Sequence, residues 1–570
     1  MPTHREPSAP GSSIAVSDED AWKLFVFRKS RELLSTRNLL DDLRSEIQSL
    51  SSGTGSAVDT LIRAGEIETG LEDARSPATT RLSALVDELA AAACADKLPS
   101  PRCLHALGAV HCPPSIRCSH PEGFSYYGLN PLDFADLARR IAPDLAPRIA
   151  VIGVRSVGST LGAVVAATLC ANGRLARRIT VRPAGEPYHR KTTFSETQMP
   201  WIRDQMEHQA DFVVVDEGPG FSGSTFLSVA RALLDAGVPR PRIVLLGSRP
   251  FPAAAPAAHA QEWARFRSHI VDYGRHVPQD AGRSLGGGAW REVIYSDRSH
   301  WPACWADQER IKHLSSDGKI FFKFEGFGRF GKLVRTQAEA LAQCGFSPGL
   351  PVWDSGFTGY QFLRGRPLRS ADLTEDLLSA LASYCVFRLT NFPALDSDTA
   401  MLQEMMRVNL EVEFHPQRQV ESLYLERPIY ADCRMLPHEW FSTPEGRILK
   451  TDSVGHGEGH QLPGPVDIAW DLAGAIIEWG LSPAQADFFL SEYRRQSGDN
   501  ARNRLPGYLL AYSVLRAAQC RMAAASACNR CEVQDLRKLY QKHRARVQVL
   551  LEDGKTAGTT SWPAGELSVP

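Results

Sequence analysis

Apolar residues recur at roughly helical spacing between Asp18 and Cys94, first as Trp22, Leu24, Phe25, Leu33, Leu34, Leu39, Leu40, Leu43, Ile47 and Leu50, then as Leu82, Leu85, Val86 and Leu89. A stripe of this kind predicts amphipathic helices, interrupted at Ser51-Ser52-Gly53-Thr54-Gly55. It defines a helical N-terminal segment over 19–120, behind a Pro-, Ser- and Gly-rich disordered tail at 1–18. After Arg148 the period changes. The apolar runs at 149–154, 212–215 and 243–246 read as buried strands, with a further strand at 178–181 and helices over 163–170 and 226–236. Strands alternating with helices predict an α/β domain over 121–252 with a parallel sheet, whose ligands are expected at the carboxyl ends of the strands. The Ala-, Pro- and Gly-rich stretch 252–288 predicts a connector over 253–310. Beyond it, 319–324 predicts a strand and 336–342 a helix. The periodicity at 377–389, 476–490 and 508–525 is mainly helical, so an α+β domain is expected over 311–555, followed by a tail at 556–570.

At 570 residues the chain exceeds the size of one hydrophobic core, so several domains are expected. Lys+Arg 64 against Asp+Glu 65 leaves a net charge of −1, which supplies no global field for nucleic acid or an anionic membrane; any phosphate site must be local. No apolar run approaches the roughly 20 residues of a membrane span, and 1–10 lacks an apolar signal core, so a cytoplasmic location is expected. The twelve scattered cysteines then read as reduced thiols.

The strand at 212–215 ends in Asp216-Glu217 and runs through Gly218-Pro219-Gly220-Phe221-Ser222-Gly223-Ser224-Thr225 into a helix. Glycine-exposed N–H groups, the hydroxyls of Ser222, Ser224 and Thr225 and the helix N-terminus suit a terminal phosphate. Asp216 and Glu217 can accept hydrogen bonds from vicinal ribose hydroxyls, and paired acids at a strand end serve no packing purpose. Upstream, Gly153-Val154-Arg155-Ser156-Val157-Gly158-Ser159-Thr160 is a second strand-to-helix turn; alone, such a turn is common in α/β proteins. Between the two lies the basic segment 182–191, with His189, Arg190 and Lys191, which also reads as a solvated loop.

This constellation resembles the fingerprint of type I phosphoribosyltransferases, in which four apolar residues precede an acid pair and a Thr-Gly-x-Thr-like loop. The resemblance implies binding of 5-phosphoribosyl-1-pyrophosphate (PRPP) with Mg²⁺. It implies Asp216, Glu217, Arg155 and Lys191 as catalytic residues, with Arg155 facing the diphosphate and 182–191 as a mobile hood. It implies Gly153, Ser156, Gly158, Gly220, Ser222, Gly223, Ser224 and Thr225 as substrate-binding. The loop after the acids is one residue longer than usual, with Gly218-Pro219-Gly220 where many members carry apolar residues.

From about Lys319 the chain resembles the aminoglycoside-phosphotransferase-like branch of the protein-kinase fold. The resemblance rests on Lys323, Glu339, Phe362-Leu363-Arg364-Gly365, Asp432, Asp452 after Ile448-Leu449-Lys450-Thr451, and Asp467 with Trp470-Asp471-Leu472-Ala473. It implies Lys323 at the phosphates of ATP, Glu339 as its ion-pair partner, Asp432 as the catalytic acid residue and Asp452 on Mg²⁺. The usual Asp-x-x-x-x-Asn spacing is absent, so either ATP binding is weak or His438 stands in for the lost ligand; no strong Gly-rich lid precedes Lys323. Taken singly, Lys323 also reads as an exposed strand residue, Glu339 as a solvated helix charge, and Asp432 and Asp452 as turn or cap acids.

Cys103, His105, His111, Cys112, Cys118 and His120 cluster without a paired Cys-x-x-Cys zinc spacing, and Cys528 with Cys531 reads as two idle thiols. Two functions follow. One is a PRPP-dependent transferase acting on an unidentified nitrogenous acceptor, with pyrophosphate release, fused to a kinase-like domain. The other is a regulatory protein that senses PRPP or a nucleotide through a pseudokinase-like half.

Overall fold

The computed structural model describes residues 21–26, 31–100, 103, 107, 112–186, 188–252, 255–272, 274, 277–394, 398–415, 422–456 and 464–553. The expected tails at 1–18 and 556–570 lie outside the described residues, as do His105 and His111.

Helices Thr36–Ser51 and Thr79–Cys94 carry the two parts of the apolar stripe, and a third, Ala57–Asp73, lies between them, where the stripe has no position. Ser35 and Ser56 cap the first two in chain order by accepting the N–H groups of Asn38 and Asp59. The segment is not wholly helical: β1 (Arg31–Ser35) pairs antiparallel with β2 (Ser115–Ser119).

Next come β3 (Arg148–Val154), β4 (Leu175–Val181), β5 (Asp211–Val215), β6 (Ile243–Gly247) and β7 (Arg267–Ile270), all parallel, in the order β4-β3-β5-β6-β7. Continuous apolar strands are buried on both faces. Ile149, Val151, Val213 and Val215 pack toward the Val157–Ala171 helix and the N-terminal helices, and Ile152, Phe212 and Val214 pack toward the Ser224–Asp235 helix. The chain leaves β3 in opposite directions toward β4 and β5, so their carboxyl ends open the crevice where ligands are held in such sheets.

The stretch expected as a connector carries structure. β7 completes the parallel sheet, and β8 (Ala281–Ser284) joins β9 (Lys312–Ser315), β10 (Ile320–Phe324), β11 (Val352–Asp354) and β12 (Phe357–Gln361) in an antiparallel sheet of order β11-β12-β10-β9-β8. Both β7 and β8 are four-residue edge strands without apolar alternation, which hid them in the sequence.

The helix Gly328–Gln343 follows β10. The helices Glu375–Asn391, Ala400–Glu413, Ala469–Trp479, Pro483–Ser497, Leu505–Ser526 and Arg530–Asp553 then build a second lobe around Tyr384, Trp440, Trp470, Trp479, Tyr508 and Tyr512. Short ribbons brace it: β13 (Arg366–Pro367), β15 (Trp440–Ser442) and β16 (Ile448–Lys450) in one, β14 (Pro428–Ile429) and β17 (Val466–Asp467) in another. Among the described residues no helix is long and apolar enough to cross a membrane.

The Ala57–Asp73 helix is buried from Thr60 to Leu71 because it lies between the two sheets. Phe322, Phe324 and Phe357 of the antiparallel sheet share one core with Leu61, Ile67 and Val213. The N-terminal segment is therefore the filling between the halves.

Gly153 and Gly158 serve this packing. A Cβ on Gly153 would stand 2.1 Å from the carbonyl oxygen of Gly158, and one on Gly158 would stand 2.7 Å from that of Val215. Gly153→Ala must push the Val157–Ala171 helix off β3, and overpacking of this kind costs about 1–3 kcal/mol. Urea denaturation is expected to show that loss; an unchanged midpoint would mean that strand and helix are not in contact here.

Candidate functional site

Two clusters of polar side chains stand where the elements converge. The first is a cleft between the antiparallel sheet and the helical lobe, enclosing about 970 Å³ with its open mouth included. Lys323 and Lys312 face each other across the β10–β9 pair. Lys323 is buried, with its Nζ 2.5 Å from Asp452 Oδ1 and 3.5 Å from Glu325 Oε1, and it donates to the carbonyl of Val454 at 3.2 Å. Lys312 Nζ lies 3.4 Å from Glu309 Oε1. Burial alone would push the Asp452 carboxyl up, but the charges of Lys323 and His456 outweigh it and hold the group well below the usual carboxylate range. Phe321, Tyr360, Phe362, Leu363 and Phe441 give the cleft its apolar wall.

Glu339 is not the partner of Lys323. It pairs with Arg335 at 2.8 Å on its own helix, with both side chains exposed. The acids that reach Lys323 are Asp452 and Glu325, the latter just past the end of β10, where it also accepts from Tyr360 Oη at 2.6 Å.

Asp432 is fully buried and does not line the cleft. It accepts from Tyr384 Oη and lies 3.4 Å from Lys450 Nζ, while its own N–H and that of Cys433 donate to the Asp471 carboxylate at 2.8 Å each. His438 does reach the cleft. Its ring stacks on Trp290 with centroids 5.9 Å apart, and burial pulls its pKa down to about 3, so the imidazole is neutral. Glu439 beside it is pushed up to about 7 by burial, against the pull of Lys450 and Arg434. Asp467 lies away from the cleft, accepting from the N–H groups of Glu426 and Arg427 and from Arg504.

Gly286-Gly287-Gly288 follow β8, and the segment between β8 and β9 places Leu285, Trp290 and Glu309 in the wall of the cleft.

The second cluster lies at the carboxyl ends of β3 and β5. Asp216 and Glu217 end β5 side by side, and Glu122, from a helical turn at Glu122–Ser125, joins them. Glu217 accepts the N–H of Gly123, where a Cβ would stand 2.5 Å from its Oε2, so a side chain there would displace the carboxylate. Burial and the charge of Glu217 push Asp216 well above its ordinary value. Burial also raises Glu217, although Arg249 and the Gly123 N–H pull it back. Burial and Glu217 together raise Glu122 to about 8. Neither Glu122 nor Arg249 carries a motif in the sequence.

The loop after the acids ends with Gly223 at φ 65° as the N-cap of the Ser224–Asp235 helix. Ser222 Oγ accepts the N–H of Ser224 at 3.2 Å, Thr225 is half-buried, and a Cβ on Gly220 would meet open space. Ser156 opens the neighbouring helix at φ 102°, a strained conformation for a residue with a side chain. Lys191 is exposed, its backbone bridged to Ala184 across the 182–191 segment.

Arg155 departs from its expected place. Its guanidinium is bound to Glu72 at 2.9 Å and Asp73 at 3.0 Å on the Ala57–Asp73 helix and to Thr180 Oγ1 at 3.1 Å, so it is engaged in the fold rather than facing a diphosphate.

Among the described residues no three His, Cys, Asp or Glu side chains gather for a metal. Cys118 is buried in β2, His120 stacks on Tyr126 at 5.0 Å, and Cys528 and Cys531 are exposed free thiols.

No known family's sequence profile matches the chain, and no curated protein does. Among solved structures it is similar to a choline kinase from Streptococcus pneumoniae, at 14% identity over 43% of this chain and 89% of that one, with a TM-score of 0.29. It is also similar to a choline/ethanolamine kinase family protein from Mesorhizobium loti (16% identity, 46% and 94%, TM-score 0.31). A third is an aminoglycoside phosphotransferase from Alicyclobacillus acidocaldarius (13% identity, 50% and 97%, TM-score 0.30). At these identities and scores the likeness assigns neither activity nor ligand.

The raised carboxyls have a consequence for stability. Folded, Glu122 keeps its proton to about pH 8, whereas in the unfolded chain it loses it at the ordinary carboxylate value. Its contribution to stability is therefore complete at low pH and falls away as pH rises toward 8. The melting temperature of Glu122→Gln should fall less steeply between acidic and mildly basic pH than that of the parent. Parallel slopes would show that Glu122 is ionised in the folded protein.

Proposed function

We propose that the cleft over Lys323 and Asp452 binds a nucleoside triphosphate with its divalent cation, and that the crevice at Asp216 and Glu217 binds PRPP and transfers its phosphoribosyl group to a nitrogenous acceptor with release of pyrophosphate. One observation carries the first part. Lys312 and Lys323, from neighbouring strands, meet the sequence-distant Asp452 in a single cleft beside an apolar wall, supplying cations for phosphates and a carboxylate for a metal. The donor set fits Mg²⁺, which is commonly held by one or two carboxylates together with substrate phosphates; Asp452 would hold it, and when bound it would neutralise charge on the transferring phosphoryl group. Lys323, parted from Asp452, turns to the phosphates. His438 and Glu439 are the titratable groups at the cleft in the region where the expected asparagine is missing, and Asp432 positions them from behind through Lys450 and the backbone.

The PRPP reading is supported by the crowding of three carboxyls at an open strand end, beside a loop that presents hydroxyls and a helix N-terminus. Asp216 and Glu217 would hold the ribose hydroxyls, and Ser222, Gly223, Ser224 and Thr225 the terminal phosphate. With Arg155 and Arg182 both held by the Ala57–Asp73 helix, the exposed Lys191 on the hood would meet the diphosphate. The burial of Asp432 favours a second reading for the other half, a nucleotide-sensing platform that does not turn over ATP.

Calorimetry checks both sites. Lys323→Met should weaken Mg²⁺-ATP binding by about tenfold or more, the loss expected when a charge-assisted phosphate contact of 1.5–3 kcal/mol is removed. Unchanged affinity would sink the nucleotide assignment. Asp216→Asn with Glu217→Gln should abolish PRPP binding without altering the circular dichroism spectrum; retention of binding would sink the ribose assignment. Pyrophosphate release from PRPP in a metabolite extract, with no loss of ATP, would select the sensing reading for the cleft.

A further inference from the structure

Beyond Asp452 the nucleotide cleft continues into a second pocket that runs toward the parallel-sheet half. Its walls are aromatic, with Tyr126, Tyr127, Trp305, Trp470 and Tyr512. Its charged groups are mostly matched. Lys323 has Asp452, Lys312 has Glu309, Arg434 has Glu439 at 3.3 Å, and Arg516 has Glu478 at 2.8 Å. Arg310 is different: among the described residues it pairs with no carboxylate. Its guanidinium stacks over the Tyr126 ring at 5.1 Å and donates to the carbonyls of Gly455 at 2.8 Å and Ser125 at 3.4 Å, so its charge is not neutralised. The pocket thus combines ring faces and one surplus cation, which select a flat ring that carries an anion.

Tyr127 is the partition between this pocket and the carboxyl cluster. Its hydroxyl donates to Gln308 at 2.9 Å on the pocket side, while its ring lies under Arg249, 4.9 Å from the guanidinium carbon, and Arg249 bears on Glu122 and Glu217. The two sites stand one side chain apart.

We infer that this pocket is the acceptor site of the nucleotide cleft and that it takes an aromatic-ring compound bearing a phosphate, of the class that phosphoribosyl transfer to a ring nitrogen would supply. The inference rests on the proposed nucleotide site, but its chemistry is separately measurable. Full-length protein saturated with Mg²⁺-ADP, to occupy the nucleotide cleft, is titrated with uridine 5′-monophosphate, uridine, ribose 5-phosphate and choline. The monophosphate should bind about tenfold or more tightly than uridine, as an added charge-assisted contact requires, and ribose 5-phosphate and choline should bind more weakly than it does. Arg310→Gln should erase the preference for the monophosphate over uridine, and Arg310→Lys should restore part of it. The ratio is read because Arg310 also ties the halves together, and a merely weakened fold lowers both affinities alike. Equal binding of uridine and its monophosphate, or tighter binding of choline, overturns the inference. If Mg²⁺-ADP itself does not bind, the nucleotide reading fails, and the same titrations without ADP still decide the ligand chemistry of the pocket.

Discussion

Glu66 and Glu68 on one turn, and Glu72 and Asp73 at the end, leave a helix that is buried between two sheets, and each is met by an arginine from another layer. Glu66 takes Arg329 from the helix after β10, Glu68 takes Arg178 of β4 at 2.8 Å, and Arg155 and Arg182 close on Glu72 and Asp73. Glu66 and Glu68 are buried and Asp73 nearly so, and an unpaired carboxylate at that depth costs several kcal/mol, so these pairs hold the helix in its place. The position of the parallel sheet relative to the antiparallel one follows from this. Arg155 and Arg182 fix the carboxyl ends of β3 and β4, Arg329 fixes the start of the Gly328–Gln343 helix, and the two candidate sites face one another across 122–127.

The same constraint explains how the α/β half read in the sequence. Its strands were legible because a sheet covered on both faces needs uninterrupted runs such as 212–215, and the acid pair after such a run is conspicuous. The role of Arg155 was not legible. A guanidinium at a strand end beside glycines looks available to an anion, and its carboxylate partners lie some eighty residues upstream, on a helix whose own pattern gave no sign that it would be buried all round. Gly153 and Gly158 answer a packing demand that the sequence did not single out: close helix–strand contact and backbone access to a ligand both call for glycine, and the 2.1 Å approach shows the first.

In the other half, local alternation carried more than the family pattern did. Lys323 and Glu325 meet by period two across the end of β10, whereas Glu339 was chosen by analogy and turned outward to Arg335. Asp452 was legible as an acid following a short strand. Lys312, Glu309 and Arg310 were not, since they sit at the base of β9, within or just after the stretch whose Ala, Pro and Gly content reads as a connector. Edge strands and connecting segments need little apolar sequence, so composition assigns them to linkers even when they complete a site.

The 285–309 segment ties the cleft to the far end of the chain. Arg291 meets Glu532 through both guanidinium nitrogens, at 3.1 and 2.8 Å; the N–H of Cys304 donates to the same carboxylate at 2.7 Å, and Trp305 Nε1 donates to Ser526 Oγ at 3.0 Å. Separating one side of a nearly buried pair of this kind costs about 3–5 kcal/mol if the remaining charge stays buried. The 285–309 segment is therefore held firmly to the Arg530–Asp553 helix, and with Trp290 on His438 and Trp305 on Phe221, ring centroids 5.9 and 6.1 Å apart, one stretch of chain packs against both candidate sites.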